Sequence, residues 1–192
     1  MRRDPKISIE TADGVYGPAE DSTLLIESAD PKPGHRVLEV GTGSGIAALH
    51  CAAAGACVIA TDRNPDAARC ALGNARANGL DRERDFSVLV CDLAGALRGP
   101  FDLVIFNPPY LPGRVGQLAA DGGTGGIEVV SRLLQDLSRL LSPEGKCIIV
   151  MSSHSDMELL MRHFPSLAFQ RLRAKELFFE VLTSYEIRVT KK

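Results

Sequence analysis

Phe106-Asn107-Pro108-Pro109-Tyr110 closes an apolar run, Phe101-Asp-Leu-Val-Ile, with an amide, two prolines and a phenol. Adjacent prolines end a strand, because neither has an amide proton to give a neighbour and both fix φ. Such a corner is either a plain exit turn or a rigid grip for something flat. The Asn107 side-chain oxygen and the Pro108 carbonyl are two acceptors on stiff backbone, Pro109 extends that stiffness, and Tyr110 offers a ring to pack on a planar group. An amide or exocyclic NH2 matches this set: its two hydrogens meet two acceptors. Its nitrogen is a poor nucleophile because the lone pair is delocalised. Holding both hydrogens orients that lone pair, and the two oxygens stabilise the positive charge that develops on nitrogen. No strong base is required beforehand, since the proton can leave afterwards. No Ser-His-Asp or Cys-His set competes for the chemistry; His154 and His163 have no partnered motif.

A second set of residues precedes this corner. Glu39-Val-Gly41-Thr-Gly43-Ser-Gly45 follows an apolar run and opens a helical one. Its glycines let backbone turn and approach a ligand closely. The spacing is GxGxG; a dinucleotide fingerprint needs a further glycine where Ile46 stands. Asp62 ends the next apolar run, about twenty residues on, where an acid accepts hydrogen bonds from both ribose hydroxyls. Asp92 ends the third run, within reach of an adenine edge. The plain alternative is a tight turn with two helix-capping acids. The sign of the charge then matters. Glu39 beside the glycines repels a pyrophosphate and suits an amine or sulfonium, which points to S-adenosylmethionine rather than NAD. No Lys-Ser/Thr pair follows the glycines, so triphosphate chemistry is disfavoured.

The elements that must position these residues alternate. Apolar strands are expected at 36–40, 57–61, 86–91, 101–106 and 146–151, and helices at 20–29, 46–54, from Pro65 to near Asn78-Gly79, at 127–141 and at 156–163. Asn64 is a plausible cap with Pro65 at the helix start. Two strands at 167–173 and 178–189 finish the chain. Alternating elements with continuous apolar strands predict an α/β fold with a mostly parallel, seven-stranded sheet, covered on both faces, and an antiparallel C-terminal hairpin strand at its edge. The ligand then sits beyond the carboxyl ends of the first four strands. The expected organisation is one domain over 1–192, with an N-terminal segment and capping helix in 1–35 and the catalytic sheet in 36–192.

Bulk properties set limits. The 192 residues carry a net charge of -2, with 45% hydrophobic and 24% charged residues. That argues against nonspecific nucleic-acid binding, which needs a basic face. No apolar run approaches the roughly 18 residues of a membrane span, and the Met-Arg-Arg-Asp-Pro-Lys start lacks a secretion signal. Five cysteines with no CxxC pair read as reduced core thiols in a cytoplasmic protein, with no metal site.

Taken together, EVGTGSG, TDRNP, the Cys91-Asp92 pair and NPPY resemble a class I S-adenosylmethionine-dependent methyltransferase with a Rossmann-like sheet. The resemblance implies that Gly41, Gly43 and Gly45 line the methionine part, that Asp62 with Arg63 holds the ribose, and that Asp92 with Leu93 borders the adenine. NPPY is similar to the (N/D)PP(Y/F) motif of enzymes that methylate planar nitrogen.

Further stretches narrow the family. Val15-Tyr16-Gly-Pro-Ala-Glu-Asp-Ser22-Thr resembles the YxPxEDS/T segment of the HemK-like glutamine methyltransferases. Asp62-Arg-Asn-Pro-Asp-Ala with Asn74-Ala-Arg-Ala-Asn78-Gly resembles their DxNPxA…NAxxN pattern, and Gly122 to Val129 their GGxxGxEV loop. With the first strand near Arg36, the chain resembles the short archaeal and eukaryotic branch. That branch methylates the glutamine of the GGQ motif in class 1 release factors, and some members are implicated in methylating histone lysine or DNA adenine. The resemblance places Tyr16, Ser22, Glu39, Gly41, Asp62, Asp92, Leu93 and Asn107 against the cofactor, and Asn107, Pro108, Pro109 and Tyr110 against the substrate. It also implies a small zinc-binding activator subunit docked on the edge of the third strand, 86–90. Residues 16–23 are a lid over the cofactor, a helix cap, or both. The sequence departs from the family where Gly17 replaces a larger residue, where Ser22 stands for the usual threonine, and where 111–121 is short and lacks an aromatic residue. A nucleic-acid base amine and a protein lysine stay open as acceptors, as does a non-enzymatic cofactor-binding scaffold.

Overall fold

A computed structural model describes residues 1, 4–81, 85–111 and 124–190. Short apolar runs punctuated by glycine and proline become strands β1 (Arg36–Val40), β2 (Cys57–Asp62), β3 (Phe86–Val90) and β4 (Phe101–Phe106), then β5 (Leu141–Ser152), β6 (Leu167–Glu176) and β7 (Val181–Val189). They form one sheet in the order β3-β2-β1-β4-β5-β7-β6. The first five are mutually parallel; β7 runs antiparallel between β5 and β6. This is the expected α/β architecture with its antiparallel C-terminal strand. On one face lie helices α1 (Glu20–Ser28), α2 (Ile46–Ala53) and α3 (Pro65–Ala77), burying Leu25, Leu49 and Ala75 against Val37 and Ile105. On the other lie α4 (Glu128–Gln135), α5 (Leu137–Leu140) and α6 (Met157–His163), burying Leu133, Leu137 and Leu160 against Leu38 and Ile149. Among the described residues no helix is long and apolar enough to cross a membrane.

Three expectations change in detail. The helix expected over 127–141 breaks at Asp136, whose carboxylate is held by Arg139 Nε and Nη2 at 2.8 and 2.6 Å, and β5 already begins at Leu141. The strand expected over 178–189 starts at Val181. A Leu177 N–H to Glu180 carbonyl bond of 2.8 Å closes a turn that leaves Phe178 and Phe179 at the hairpin tip. Only Cys51 and Cys147 are core thiols, and burial pushes both pKa values up; Cys57, Cys70 and Cys91 are half-buried. The glycine-rich 113–123 stretch, including Gly122 of the GGxxGxEV resemblance, lies outside the described residues.

The chain ahead of α1 is irregular, yet it is latched. Ile7 and Ile9 pack on the core between the exposed Ser8 and Glu10 neighbours. The backbone of Ser8 and Glu10, instead of pairing with a strand, pairs with two side-chain amides on α3. Asn78 Oδ1 accepts from the Ser8 N–H at 3.0 Å and Asn78 Nδ2 donates to the Ser8 carbonyl at 2.8 Å. Asn74, 3% exposed, makes the same pair with Glu10 at 3.0 and 2.8 Å, and also donates to the Ser44 carbonyl at 2.8 Å. Residues four apart on a helix share one face, which is why the NAxxN spacing reads an extended strap at alternate residues. Replacing Asn74 and Asn78 together by Ala removes both pairs. The expected result is a loss of about 1–3 kcal/mol per buried group left unpaired, and amide exchange at Ser8 and Glu10 at least about tenfold faster, read by urea unfolding and hydrogen–deuterium exchange.

Candidate active site

Strand register brings the loops together. Val40 of β1 lies opposite Thr61 of β2 and Phe106 of β4, and Asp62 lies opposite Val90 of β3. Gly41, Asp62 and Asn107 therefore leave the sheet side by side, with Asp92 one strand further out. They open onto a cavity of 490 Å³ at the carboxyl ends of the strands, a volume typical of small-ligand sites.

The floor is the glycine turn. Glu39 is 4% exposed. Its Oε2 accepts the Thr42 hydroxyl, and the Ala48 N–H of α2 at 3.2 Å. Desolvation pushes its pKa up to about 8, against the lowering effect of those two donors and with a further rise from Asp62. Asp62 in turn ties the turn to β2: its Oδ2 accepts the Gly43 N–H at 3.0 Å and its Oδ1 the Asn64 N–H at 2.9 Å. Gly43 has φ +53, and a Cβ there would sit 2.9 Å from the Tyr16 carbonyl oxygen, so the strap crosses the turn at a height only glycine permits. The Ser44 N–H donates to that same carbonyl at 3.2 Å.

The wall is organised by Asp21, 2% exposed at the start of α1. Its Oδ2 accepts two phenols, Tyr16 at 2.7 Å and Tyr110 at 3.0 Å. Its Oδ1 accepts the Ser22 N–H at 2.6 Å and the Ser22 hydroxyl at 3.2 Å. Burial first, and the Asp21 charge next, raise both phenol pKa values, so both stay protonated donors. The Tyr110 carbonyl accepts Ser155 Oγ at 3.0 Å. A Cβ on Gly126 would fall 2.1 Å from that carbonyl oxygen, so the last glycine of the GGTGG run is where backbone packs on the NPPY corner. Between them, Asn107 Oδ1 is buried with no hydrogen-bond partner among the described residues. A buried amide oxygen without a partner is costly; the residue that carries it lines the cavity.

The methyltransferase small domain model matches residues 6–182. A Methanocaldococcus jannaschii protein assigned as a protein N5-glutamine methyltransferase is 36% identical over 147 residues, covering 72% of this chain and 73% of that one. Methyltransferase HEMK2 of Mus musculus is 35% identical over 163 residues, covering 77% and 76%. The chain belongs to the HemK-like class I methyltransferases. The methyltransferase fold is repeated in the E. cuniculi Mtq2-Trm112 complex responsible for methylation of the eRF1 termination factor, with a TM-score of 0.72, 19% identity, and coverage of 92% of this chain and 99% of that one.

In this HemK-like enzyme the sequence-predicted residues converge with one exception. Tyr16, Ser22, Glu39, Gly41 and Gly43 line the cavity, as do Asp62, Arg63, Asp92 and Leu93, and all four residues from Asn107 to Tyr110. Gly45 does not; it is the N-cap of α2 with φ 86, and a Cβ there would meet Ala71 at 3.0 Å. Asp92 is exposed and pairs with Arg132 of α4, a cavity residue that the sequence did not single out. The sequence reading of 16–23 as a lid, a helix cap, or both did not single out Asp21. Its role as a bridge needs Tyr110 to reach it, and no local pattern announces a contact between residues 89 positions apart. Gly17 is the small residue at a crowded spot, since a Cβ there would lie 3.0 Å from Thr11 Cγ2.

Glu39 makes stability depend on pH. Its folded pKa of about 8 lies above the ordinary 4.5, so its contribution is full below about pH 4.5 and is lost as pH rises toward 8, at about 1.4 kcal/mol per pH unit. Glu39→Gln is expected to flatten this component of the urea-unfolding profile between pH 5 and 8.

Proposed function

We propose that this enzyme transfers the methyl group of S-adenosylmethionine to the side-chain amide nitrogen of a glutamine in a class 1 release factor. The carrying observation is Asn107, a residue that lines the cavity on the rigid corner where β4 ends and whose Oδ1 has no hydrogen-bond partner among the described residues. S-adenosylmethionine, when bound, supplies an electrophilic methyl on a sulfonium. The residues present suit it. Glu39 is an acid held beneath the glycine turn, where a nearby cation favours its ionised form and draws off its proton. Asp62 and Arg63 face the place for the ribose, Asp92 and Leu93 the adenine side, and Ser22 with Tyr16 the strap side. Asn107 Oδ1 and the Pro108 carbonyl orient the acceptor NH2 and stabilise the charge that grows on its nitrogen. The names of the relatives support glutamine as the acceptor, and a place in the cytoplasm where release factors act.

A small partner subunit fits the same reading. Among the described residues β3 pairs only with β2, which leaves its outer edge unpaired there, with Leu89 39% and Val90 55% exposed. An unpaired apolar edge is a template for strand addition. The Mtq2-Trm112 assembly supports a partner of this kind, and its zinc is carried by the family resemblance.

The test is direct. Purified enzyme, labelled donor and a release factor should give one methyl on the GGQ glutamine, located by tandem mass spectrometry; label on RNA or DNA instead would reject the reading. Asn107→Ala is expected to cut turnover by about 10²–10³-fold while the donor dissociation constant, by calorimetry, changes little.

A further inference from the structure

Among the described residues, the two most exposed large apolar side chains are neighbours. Phe178 and Phe179 are 93% and 83% exposed and pack edge to face, with ring centroids 4.6 Å apart. They form the tip between β6 and β7. That tip lies at the cavity end of the sheet, because the start of β7 pairs with the end of β5, Leu182 opposite Ser152.

The tip is fixed relative to the NPPY corner. The Ser153 N–H donates to the Val181 carbonyl at 2.9 Å, and the Val181 N–H to Ser153 Oγ at 3.1 Å. The ring Nε2 of His154 lies 2.9 Å from the Phe179 carbonyl oxygen. Ser155, next in the chain, holds the Tyr110 carbonyl. Three consecutive residues thus bridge the tip to Tyr110. Lys175 near the end of β6 pairs with Glu20 of α1, which adds a second brace. The Glu180 carboxylate is close enough to Tyr16 and Tyr110 to raise both phenol pKa values.

We propose that Phe178 and Phe179 bind the polypeptide flanking the acceptor glutamine, through an apolar side chain of the protein substrate. This rests on the amide-methylation reading and adds to it where the rest of the substrate goes. The cavity admits a donor and one planar side chain, so the chain that carries the side chain must cross the rim. Exposed aromatics at the same end of the sheet are anchors with little entropy to lose. Glu176 and Glu180 flank the tip in the chain, and Lys175 is paired with Glu20, a local charge balance that suits a polypeptide better than a phosphate backbone.

The test compares the intact enzyme with the Phe178→Ala/Phe179→Ala double variant on purified release factor. Both rings are in solvent, so the fold and donor affinity should be unchanged, as checked by melting and calorimetry. The expected result is a KM for release factor raised about tenfold or more, the scale of an interface anchor, with kcat at saturation within about twofold. An unchanged KM, with wild-type enzyme active, overturns this proposal alone. A wild-type enzyme that methylates no protein in a panel of release factor and histone overturns it together with the amide reading. A dimer in sedimentation that the double variant dissolves would give the tip to a second copy of the chain instead.

Discussion

The site depends on a backbone constraint: the parallel, in-register ladder that joins β3, β2, β1 and β4. Strands about 4.8 Å apart with Val40, Thr61 and Phe106 at one level deliver their next residues to one level as well. The buried faces lock this arrangement. Val37 faces one core cluster while Leu38 and Val40 face the other, so a slip of one residue would turn each to the wrong side. The glycine turn, Asp62 and Asn107 inherit their spacing from that ladder, and the Gly43 N–H to Asp62 Oδ2 bond of 3.0 Å reinforces it.

Within this frame, three of the four carboxylates that line the cavity among the described residues, Glu39, Asp62 and Asp21, are held differently. Glu39 sits among apolar neighbours of β1 beneath the turn, and its donors among the described residues are a hydroxyl and one amide, so desolvation prevails. Asp62 spends its two oxygens on backbone N–H groups and thereby shapes the turn. Asp21 gathers two phenols and both donors of Ser22. Each acid serves as a structural node first, and the chemistry uses the geometry those nodes hold. The two tyrosines far apart in sequence share a single oxygen, so the strap and the NPPY corner cannot move independently while that oxygen is occupied.

The strand positions and the site loops were legible in the sequence because they rest on local signals. Apolar runs, Pro65 after Asn64, and glycines at strand ends each act within a few residues. Asn64 does cap α3, accepting the Asp66 N–H at 2.9 Å. The break at Asp136 was not legible, since 127–141 keeps helical apolar spacing through it; Arg139, which also reaches the Ala94 and Leu97 carbonyls, decides the outcome through tertiary contacts. The extra residues expected in the last strand looked like strand because Phe178 and Phe179 are apolar, yet they lie in solvent. Gly45 looked like a third ligand-facing glycine, but its demand is close packing on α3. Arg132 and the Asp21 bridge are spatial coincidences of distant segments, visible only once the sheet is assembled. The NAxxN motif was legible as a pattern and silent as to purpose, because its partners lie more than sixty residues earlier in the chain.

That pattern has a kinetic meaning. The segment that roofs the glycine turn is fastened by side-chain amides, by the Tyr16 contacts and by Ile7 and Ile9, and it contributes no rung to the sheet. Lifting it breaks a handful of hydrogen bonds and leaves every strand pairing intact. Such an opening is sub-global and lies below the free energy of unfolding the whole protein. The hydrogen bonds that fasten the strap and the pairings that hold the sheet are thus separate sets of contacts.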